Sequence, residues 1–162
     1  MIPEPAPEND YLLAHAELLI RSYRLRTGRD LVDAGLTGRD AARFLYLAPF
    51  VVLSHDNTPD PRFTYANLAA QARFEMAWTE IIGLPSRRSA EPLARQARAL
   101  LLEKVAAQGF IDSYSGVRIA KSGRRFMIQN ATVWNLTDPA GRLQGQAAMF
   151  SDCQAIGDPA GE

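Results

Sequence analysis

The sequence predicts a two-layer α+β domain in which helices cover an antiparallel sheet. Three segments near the C-terminus, at about 110–120, 124–136 and 143–151, have the composition of long strands and are separated by short turn signals. Upstream, helical patterns alternate with two short apolar strands. Strands joined by tight turns pair antiparallel, and a sheet with an apolar face needs helices to cover it.

The N-terminal part predicts two helices. Residues 1–9 are rich in proline, and we expect poor order there before Asn9 or Asp10 caps the first helix. The apolar stripe of this helix recurs every three or four residues and comprises Leu12, Ala16, Leu19 and Tyr23. Gly28 ends it, and a second, shorter helix ends before Pro49.

The middle of the chain predicts two short strands and further helices. Residues 50–53 and 63–66 are rich in β-branched and aromatic residues, and a dense turn segment separates them. Asn67 begins the next helix, and Ser89 caps a long one that ends near Gly109. The predicted inner stripe of the long helix is Leu93, Ala97, Leu100, Leu101 and Val105.

Composition limits the class of protein. The 162 residues include 18 Lys and Arg and 18 Asp and Glu, so no net charge attracts nucleic acid or an anionic membrane. Cys153 is the single cysteine, which excludes an internal disulfide and fits a reducing compartment. Signal-peptide features are absent from residues 1–10, and no stretch approaches the roughly 18 apolar residues of a membrane span. We therefore expect a soluble, cytoplasmic protein that binds neither nucleic acid nor membranes.

Four segments carry a resemblance to a known family: residues 63–70 (FTYANLAA), 74–78 (FEMAW), 82–87 (IGLPSR) and 109–118 (GFIDSYSGVR). Residues 50–152 resemble the MEKHLA domain, a relative of PAS sensor domains that occurs alone in bacteria and at the C-terminus of plant class III homeodomain-leucine zipper proteins. The resemblance implies a PAS-like α+β fold, a five-stranded antiparallel sheet with helices on one face, here preceded by N-terminal helices. The sequence has no homeodomain or zipper pattern, so the plant role in transcription is not implied.

The resemblance divides the chain into a tail and helices at 1–49 that pack on the domain, a PAS-like domain at 50–152, and a disordered C-terminal tail at 153–162. It implies a stand-alone sensory or small-ligand-binding domain that acts through an unidentified protein partner or as a homodimer. PAS-type domains bind haem, flavins, metabolites or nothing, so the ligand stays open. A ligand-free protein-interaction module is the alternative. A small enzyme acting on a polar metabolite is a third hypothesis, but no catalytic motif supports it and we expect no enzyme.

One candidate binding set lies on the strand at 110–120. Period-two alternation places Phe110, Asp112, Tyr114 and Arg118 on one face. The guanidinium of Arg118 could then hold a carboxylate or another anionic group of a ligand. The alternative is a structural Asp–Arg pair that supports the sheet surface.

The next strand and the two tryptophans supply further candidates. Alternation puts Asn130 and Trp134 in phase, and an inward-facing Asn130 would need a hydrogen-bond partner from protein or ligand. Both faces of this strand are partly apolar, so the buried face stays open. Trp78 and Trp134 are candidates for ligand contact, with a place in the core as the alternative.

The remaining candidates lie in loops. His55, Asp56 and Asp60 share a turn-rich segment, but three such residues there are common and we expect no metal. We do not expect haem ligation by His55 either. Covalent flavin chemistry is not expected, because Cys153 follows the last predicted strand and a photoreactive cysteine would lie on a helix. Arg87 is a candidate contact for an anion, with simple solvation as the alternative.

Overall fold

Six strands form one antiparallel sheet in the computed structural model of the chain, which describes residues 1–156. The strands are β1 Val51–Asp56, β2 Phe63–Ala66, β3 Phe110–Ile119, β4 Arg125–Thr137, β5 Leu143–Phe150 and β6 Asp152–Ile156. The helices are α1 Leu13–Thr27, α2 Gly38–Leu47, α3 Leu68–Phe74, α4 Trp78–Ile81 and α5 Pro92–Gln108, with short 3₁₀ turns at Pro7–Asn9 and Ser86–Ser89. The predicted order of helices and strands is confirmed, apart from β6.

The sheet has the strand order β2-β1-β5-β4-β3, and β6 also pairs with β4. The second half of β4 pairs with β5, and its first half pairs with β6, from Arg125 opposite Ile156 to Gln129 opposite Asp152. The five-stranded expectation and the disordered tail from 153 onward are therefore wrong for residues 153–156. The chain continues along β4 because the backbone groups of that half-strand would otherwise lack partners on this side. Residues 157–162 of the predicted tail lie outside the described residues.

Helices cover both faces of the sheet, because the N-terminal α1 packs on the face opposite α5. Trp134 of β4 meets Tyr23 of α1, with ring centroids 4.9 Å apart. The neighbouring Val133 packs against Leu101 and Val105 of α5. Successive side chains of a strand point to opposite faces, so α1 and α5 lie on opposite sides. We call these sides the α1 face and the α5 face.

The first helix and the residues before it are packed on the domain. The predicted apolar stripe of α1 is confirmed for Ala16, Leu19 and Tyr23, which are all buried. The expectation of poor order before this helix is wrong. The indole nitrogen of Trp78 donates a hydrogen bond to the carbonyl of Ile2 at 2.9 Å, and the hydroxyl of Tyr46 donates to the carboxylate of Glu4. These buried donors anchor the N-terminal segment. The chain therefore packs from its first residues onward.

Asn67 joins three elements around the start of α3. Its Oδ1 accepts from the backbone N–H of Ala70 at 3.1 Å, which confirms it as the helix cap, and from that of Val52 at 3.0 Å. Its Nδ2 donates to the carbonyls of Leu45 at 3.0 Å and Phe50 at 2.8 Å. All the hydrogen-bonding capacity of this fully buried side chain is used, and the end of α2 is thereby fixed to β1.

Two bulges set the direction of side chains on β3 and β4. Ser113 and Asn130 have φ angles of 56° and 54°, in the left-handed region that few residues other than glycine adopt. The register between β3 and β4 shifts on both sides of Tyr114, which pairs with Ala131. A bulge inserts one residue and reverses the alternation of side chains beyond it.

Candidate ligand-binding cavity

A small cavity of about 40 Å³ lies between α5 and the sheet. Most of its wall is apolar and includes Leu53, Leu101, Ile128, Val133 and Phe150. The polar side chains in the wall are His55, Ser89, Arg98, Tyr114, Arg118 and Gln146, and no acidic residue is among the lining residues that the structure describes. The cavity is thus an apolar space with a cationic polar side.

Alternation along β1 and the bulge in β3 direct three polar groups to this cavity. His55 faces the cavity, whereas the preceding Ser54 faces α1 and bonds to His15 Nε2 at 2.9 Å. The bulge at Ser113 turns Tyr114 and Arg118 to the α5 face. The backbone therefore fixes the positions of these cavity groups.

Arg98 enters the cavity from α5 and is 9% exposed. Within residues 1–156, no hydrogen bond or ion pair involves its guanidinium. Burial, and after it the positive charge of Arg118, lower the pKa of this group to about 10. A buried cation without a counter-ion costs folding free energy unless something else supplies the negative charge.

Arg118 is held in place by its neighbours. Its Nη1 donates to the carbonyl of Val117 at 2.8 Å, and its Nη2 donates to the hydroxyl of Tyr114 at 3.2 Å. The guanidinium carbon lies 5.6 Å from the centre of the Tyr114 ring. Two of its five N–H donors have these protein partners, so the fork is oriented and retains donors for a further group.

His55 presents an unpartnered nitrogen. Its Nδ1 lies 2.8 Å from the carbonyl oxygen of Asp56, and because a carbonyl only accepts, Nδ1 carries the hydrogen. Burial lowers the pKa of this imidazole to about 4, so the ring is neutral at pH 7 and Nε2 is an acceptor. Nε2 is buried and has no hydrogen-bond partner in the part of the chain that the structure describes. A buried acceptor in this state lacks one hydrogen bond.

The predicted set on β3 is split between the two faces. Tyr114 and Arg118 line the cavity, but Asp112 lies on the α1 face, so the prediction that they share a face is wrong. The carboxylate of Asp112 accepts from Arg29 at 2.9 and 2.8 Å and from Thr132 Oγ1 at 2.6 Å. The physical reason is the bulge at Ser113, which reverses the alternation between Asp112 and Tyr114.

Four other candidates lie away from the cavity. Asn130 occupies the bulge of β4 and is exposed, with Nδ2 at 3.4 Å from Asp152, so the inward orientation is wrong. Trp134 and Trp78 are buried in aromatic clusters outside the cavity, as the alternative interpretation has it. Arg87 pairs with Asp60 across 3.1 Å at the surface.

Sequence reasoning missed Arg98, one of the two arginines in the cavity wall. The predicted inner stripe of α5 is confirmed at Leu101 and Val105, but Ala97 and Leu100 are exposed, and the side chain of Leu93 lies outside the described residues. Arg98 is three residues before Leu101 and seven before Val105, the spacing of one helix face. That spacing could have predicted that Arg98 faces the sheet. Arginine side chains are mostly exposed in proteins, however, so the residue type favoured a surface position.

The described residues contain neither a cluster of metal-binding side chains nor a helix that could span a membrane. Within residues 1–156, no group of three His, Cys, Asp or Glu side chains could hold a metal ion. His55 turns into the cavity, while the carboxylate of Asp56 accepts from the backbone of Thr58 at 3.2 Å and of Arg62 at 3.1 Å. The described helices include none that is long and apolar enough to cross a lipid bilayer.

Solved structures define the class of fold. A PAS domain from Colwellia psychrerythraea gives a TM-score of 0.60 at 13% identity, over 71% of this chain and 92% of that one. A fungal light-oxygen-voltage photoreceptor domain gives 0.57 at 16% identity, over 85% of this chain and 88% of that one. An RNA-binding light-oxygen-voltage receptor gives 0.58 at 20% identity, over 75% of this chain and 35% of that one. The fold is therefore PAS-like.

The chain belongs to the MEKHLA domain family, whose model matches residues 13–155. The match begins within α1, whereas the sequence analysis placed the start of the domain at 50. The chain is 27% identical over 140 residues to the homeobox-leucine zipper protein ATHB-9 of Arabidopsis thaliana. That alignment covers 82% of this chain and 16% of the plant protein, so the chain spans about one sixth of that relative.

Proposed function

We propose that this chain is a non-enzymatic sensory domain that binds a small molecule in the cavity between α5 and the sheet. The observation that carries the proposal is the polar side of the cavity wall, where Arg98 is largely buried with no acidic residue beside it among the described lining residues, and where buried His55 Nε2 has no hydrogen-bond partner. Such groups normally find a partner in the fold, because leaving them unpaired costs about 1–3 kcal/mol each or more for a charge. A bound ligand would supply the missing partners.

The size of the cavity favours a small ligand. A buried water needs roughly 10–15 Å³ measured in the same way, so 40 Å³ is room for about three or four water-sized groups. Clefts that hold drug-sized molecules enclose about 300–1,000 Å³. Haem and flavin would require the walls to move apart, so we propose a metabolite rather than either cofactor.

The output is proposed to run through α1. The cavity residue Tyr114 is two positions from Asp112, which pairs with Arg29 just beyond the end of α1. A ligand that moves Tyr114 would strain the bulge at Ser113 between them. This route supports action through a protein partner or a homodimer that contacts α1, and the single cysteine is consistent with the proposed cytoplasmic location.

A ligand-free interaction module is the second candidate, and a surface groove favours it. The groove lies between α5 and β3, which is an edge strand of the sheet, and includes Leu100, which is 59% exposed, and Ile111. The third hypothesis, an enzyme that uses Asp112, Tyr114 and Arg118 together, loses its geometric basis because Asp112 lies on the other face.

Native mass spectrometry of the full chain purified from its own host tests the proposal. We expect a retained small molecule at close to one per chain, absent from the denatured mass. Arg98→Met should abolish retention, while Lys104→Met, which removes a charge from the exposed side of the same helix, should preserve it. Equal retention in both variants would favour the interaction module. A wild-type protein that carries no bound molecule and cannot be loaded with added small carboxylates would favour it as well.

A further inference from the structure

We propose that the ligand is a small 2-hydroxycarboxylate, a molecule of the size of glycolate or lactate, held by Arg98, Arg118 and His55. This inference rests on the proposed function and names the ligand class for that same cavity. Its basis is the complementarity between three polar groups of known hydrogen-bonding character and a space of about 40 Å³. Each part of the ligand follows from one of these features.

The carboxylate follows from the two arginines. Arg98 and Arg118 are 9% and 8% exposed, and both contribute to the same cavity wall. The lining contains no acidic side chain among the described residues to balance them. A planar guanidinium donates most effectively to a carboxylate or phosphate, and such charge-assisted bonds are about twice as strong as neutral ones. An anionic ligand would also relieve the repulsion between the two cations.

The hydroxyl follows from His55. The carbonyl of Asp56 fixes the hydrogen on Nδ1, so Nε2 offers a lone pair and needs a donor. A carboxylate oxygen has only lone pairs and cannot serve, and neither guanidinium bonds to this nitrogen. A hydroxyl group donates to Nε2, so a ligand with both a carboxylate and a hydroxyl satisfies the imidazole and the arginines together.

The small size of the ligand follows from the volume and from the apolar wall. Phosphate monoesters and hydroxy-dicarboxylates contain more atoms than the cavity holds in this conformation. The short carbon skeleton of lactate would contact Leu101, Ile128 and Val133, where burial of its methyl group is favourable. The position of the hydroxyl next to the carboxylate keeps both groups within so small a space.

Isothermal titration calorimetry of the full chain with three matched probes tests this inference. L-Lactate carries both groups, propionate lacks the hydroxyl, and lactamide lacks the charge. At pH 7 and constant ionic strength we expect lactate to bind, and propionate and lactamide each to bind at least about tenfold more weakly. Equal affinity for propionate would overturn the role of the hydroxyl, and equal affinity for lactamide would overturn the role of the charge.

Two further readouts separate a binding role from a structural one. Arg98→Met should raise the melting temperature of the ligand-free protein, because it removes a buried unpaired charge, and should abolish the heat of lactate binding. Lys104→Met should change neither. If Arg98→Met fails to fold, nitrogen NMR of the wild-type histidines decides instead. The Nε2 resonance of His55 should shift with lactate and stay in place with propionate, and the absence of a lactate-specific shift would refute the inference.

The outcomes also separate this inference from the proposed function. If no probe binds but native mass spectrometry finds another retained molecule, the ligand class is wrong and the sensory function stands. If no probe binds and nothing is retained, both are wrong. Loading of the purified protein with lactate, lost in Arg98→Met and kept in Lys104→Met, would support both.

Discussion

The guanidinium of Arg29 forms a two-point ion pair with the carboxylate of Asp112, with N–O distances of 2.9 and 2.8 Å. Thr132 donates a third bond to the same carboxylate at 2.6 Å, and the Arg29 guanidinium also lies over the ring of Tyr23. The pair connects the segment after α1 to β3, two residues from Tyr114 in the cavity wall. It is therefore a direct polar connection between the segment that follows α1 and the strand that carries Tyr114.

Replacing Asp112 by Asn should destabilise the protein only in the pH range where the carboxylate is ionised. The hydrogen bonds from Arg29 lower the pKa of Asp112 below its usual 3.8. The folded state therefore releases its proton more readily, and the added stability is present above that pH and lost as the pH falls below it. Because both side chains are partly exposed, we expect a loss of about 1 kcal/mol or less at pH 7.

Urea unfolding of the wild type and Asp112→Asn at about pH 7 and about pH 2.5 measures this difference. The difference should be present at the higher pH and smaller at the lower one. Asp30→Asn serves as the control, since Asp30 pairs with Arg24 at an exposed site away from β3. A difference between wild type and Asp112→Asn that is independent of pH would contradict this assignment.

The positive φ of Ser113 predicts how substitutions at this bulge change the stability of the protein, and Ser115 on the same strand serves as the control. At a φ of 56°, Ser113→Gly should stabilise the protein by up to about 1 kcal/mol, and Ser113→Val should destabilise it by about 1–3 kcal/mol. Ser115 is exposed on the same strand and has no positive φ. At this position the order of stability should reverse, so that Ser115→Gly is less stable than Ser115→Val. Thermal unfolding of the four variants checks both orders. The same order at both positions would show that the bulge is not maintained.

Most of the fold could be predicted from the sequence, because it depends on patterns that extend over many residues. The stripe of α1, the turns between the three long strands and the cap at Asn67 each have a local physical cause that the sequence displays. The two bulges have no such signal, since Ser113 and Asn130 occupy strands of ordinary composition. One inserted residue reverses every later side chain, so the site prediction failed at Asp112 and Asn130 while the strand prediction held.

The residues of the cavity could be predicted only in part, because the cavity forms by tertiary packing that local sequence patterns do not show. His55, Tyr114 and Arg118 were candidates from sequence and line the cavity. Arg98 was not a candidate, because local patterns assign an arginine on an amphipathic helix to solvent. Only the packing of α5 on the sheet brings it to the interior. The sequence analysis placed the N-terminal helices on the domain but left open which face of β4 is buried, because the pattern of β4 is apolar on both sides.

Burial of His15 and His55 determines how the free energy of unfolding of the ligand-free protein depends on pH. Burial lowers the pKa of both His15 and His55 from 6.5 to about 4. Between these values the unfolded chain binds more protons than the folded one, so stability should fall as the pH drops from about 6.5 to about 4. The slope should be at most about 1.4 kcal/mol per pH unit for each histidine. His15→Gln and His55→Gln should each lower it.

Urea unfolding at several pH values between about 4.5 and 7 measures this slope. Asp112→Asn is the control, because Asp112 titrates below this window and should leave the slope unchanged. An unchanged slope in both histidine variants would mean that the imidazoles are accessible to protons in the folded state.

Gly116 leaves the space that the ring of Tyr114 occupies beside the cavity. A Cβ at this position would lie 2.2 Å from the Tyr114 hydroxyl oxygen and 2.7 Å from Cζ, so the ring must turn away. The backbone at Gly116 has no positive φ, so alanine fits there and the Tyr114 side chain is the part that moves. Gly116→Ala should therefore displace the phenol and break the hydrogen bond from Arg118 to Tyr114. We expect at least tenfold weaker lactate binding in calorimetry, a factor that corresponds to about 1.4 kcal/mol. Ser115 is exposed on the same strand, so Ser115→Ala should bind lactate as the wild type does. Full lactate affinity in Gly116→Ala would show that Tyr114 positions neither the ligand nor Arg118.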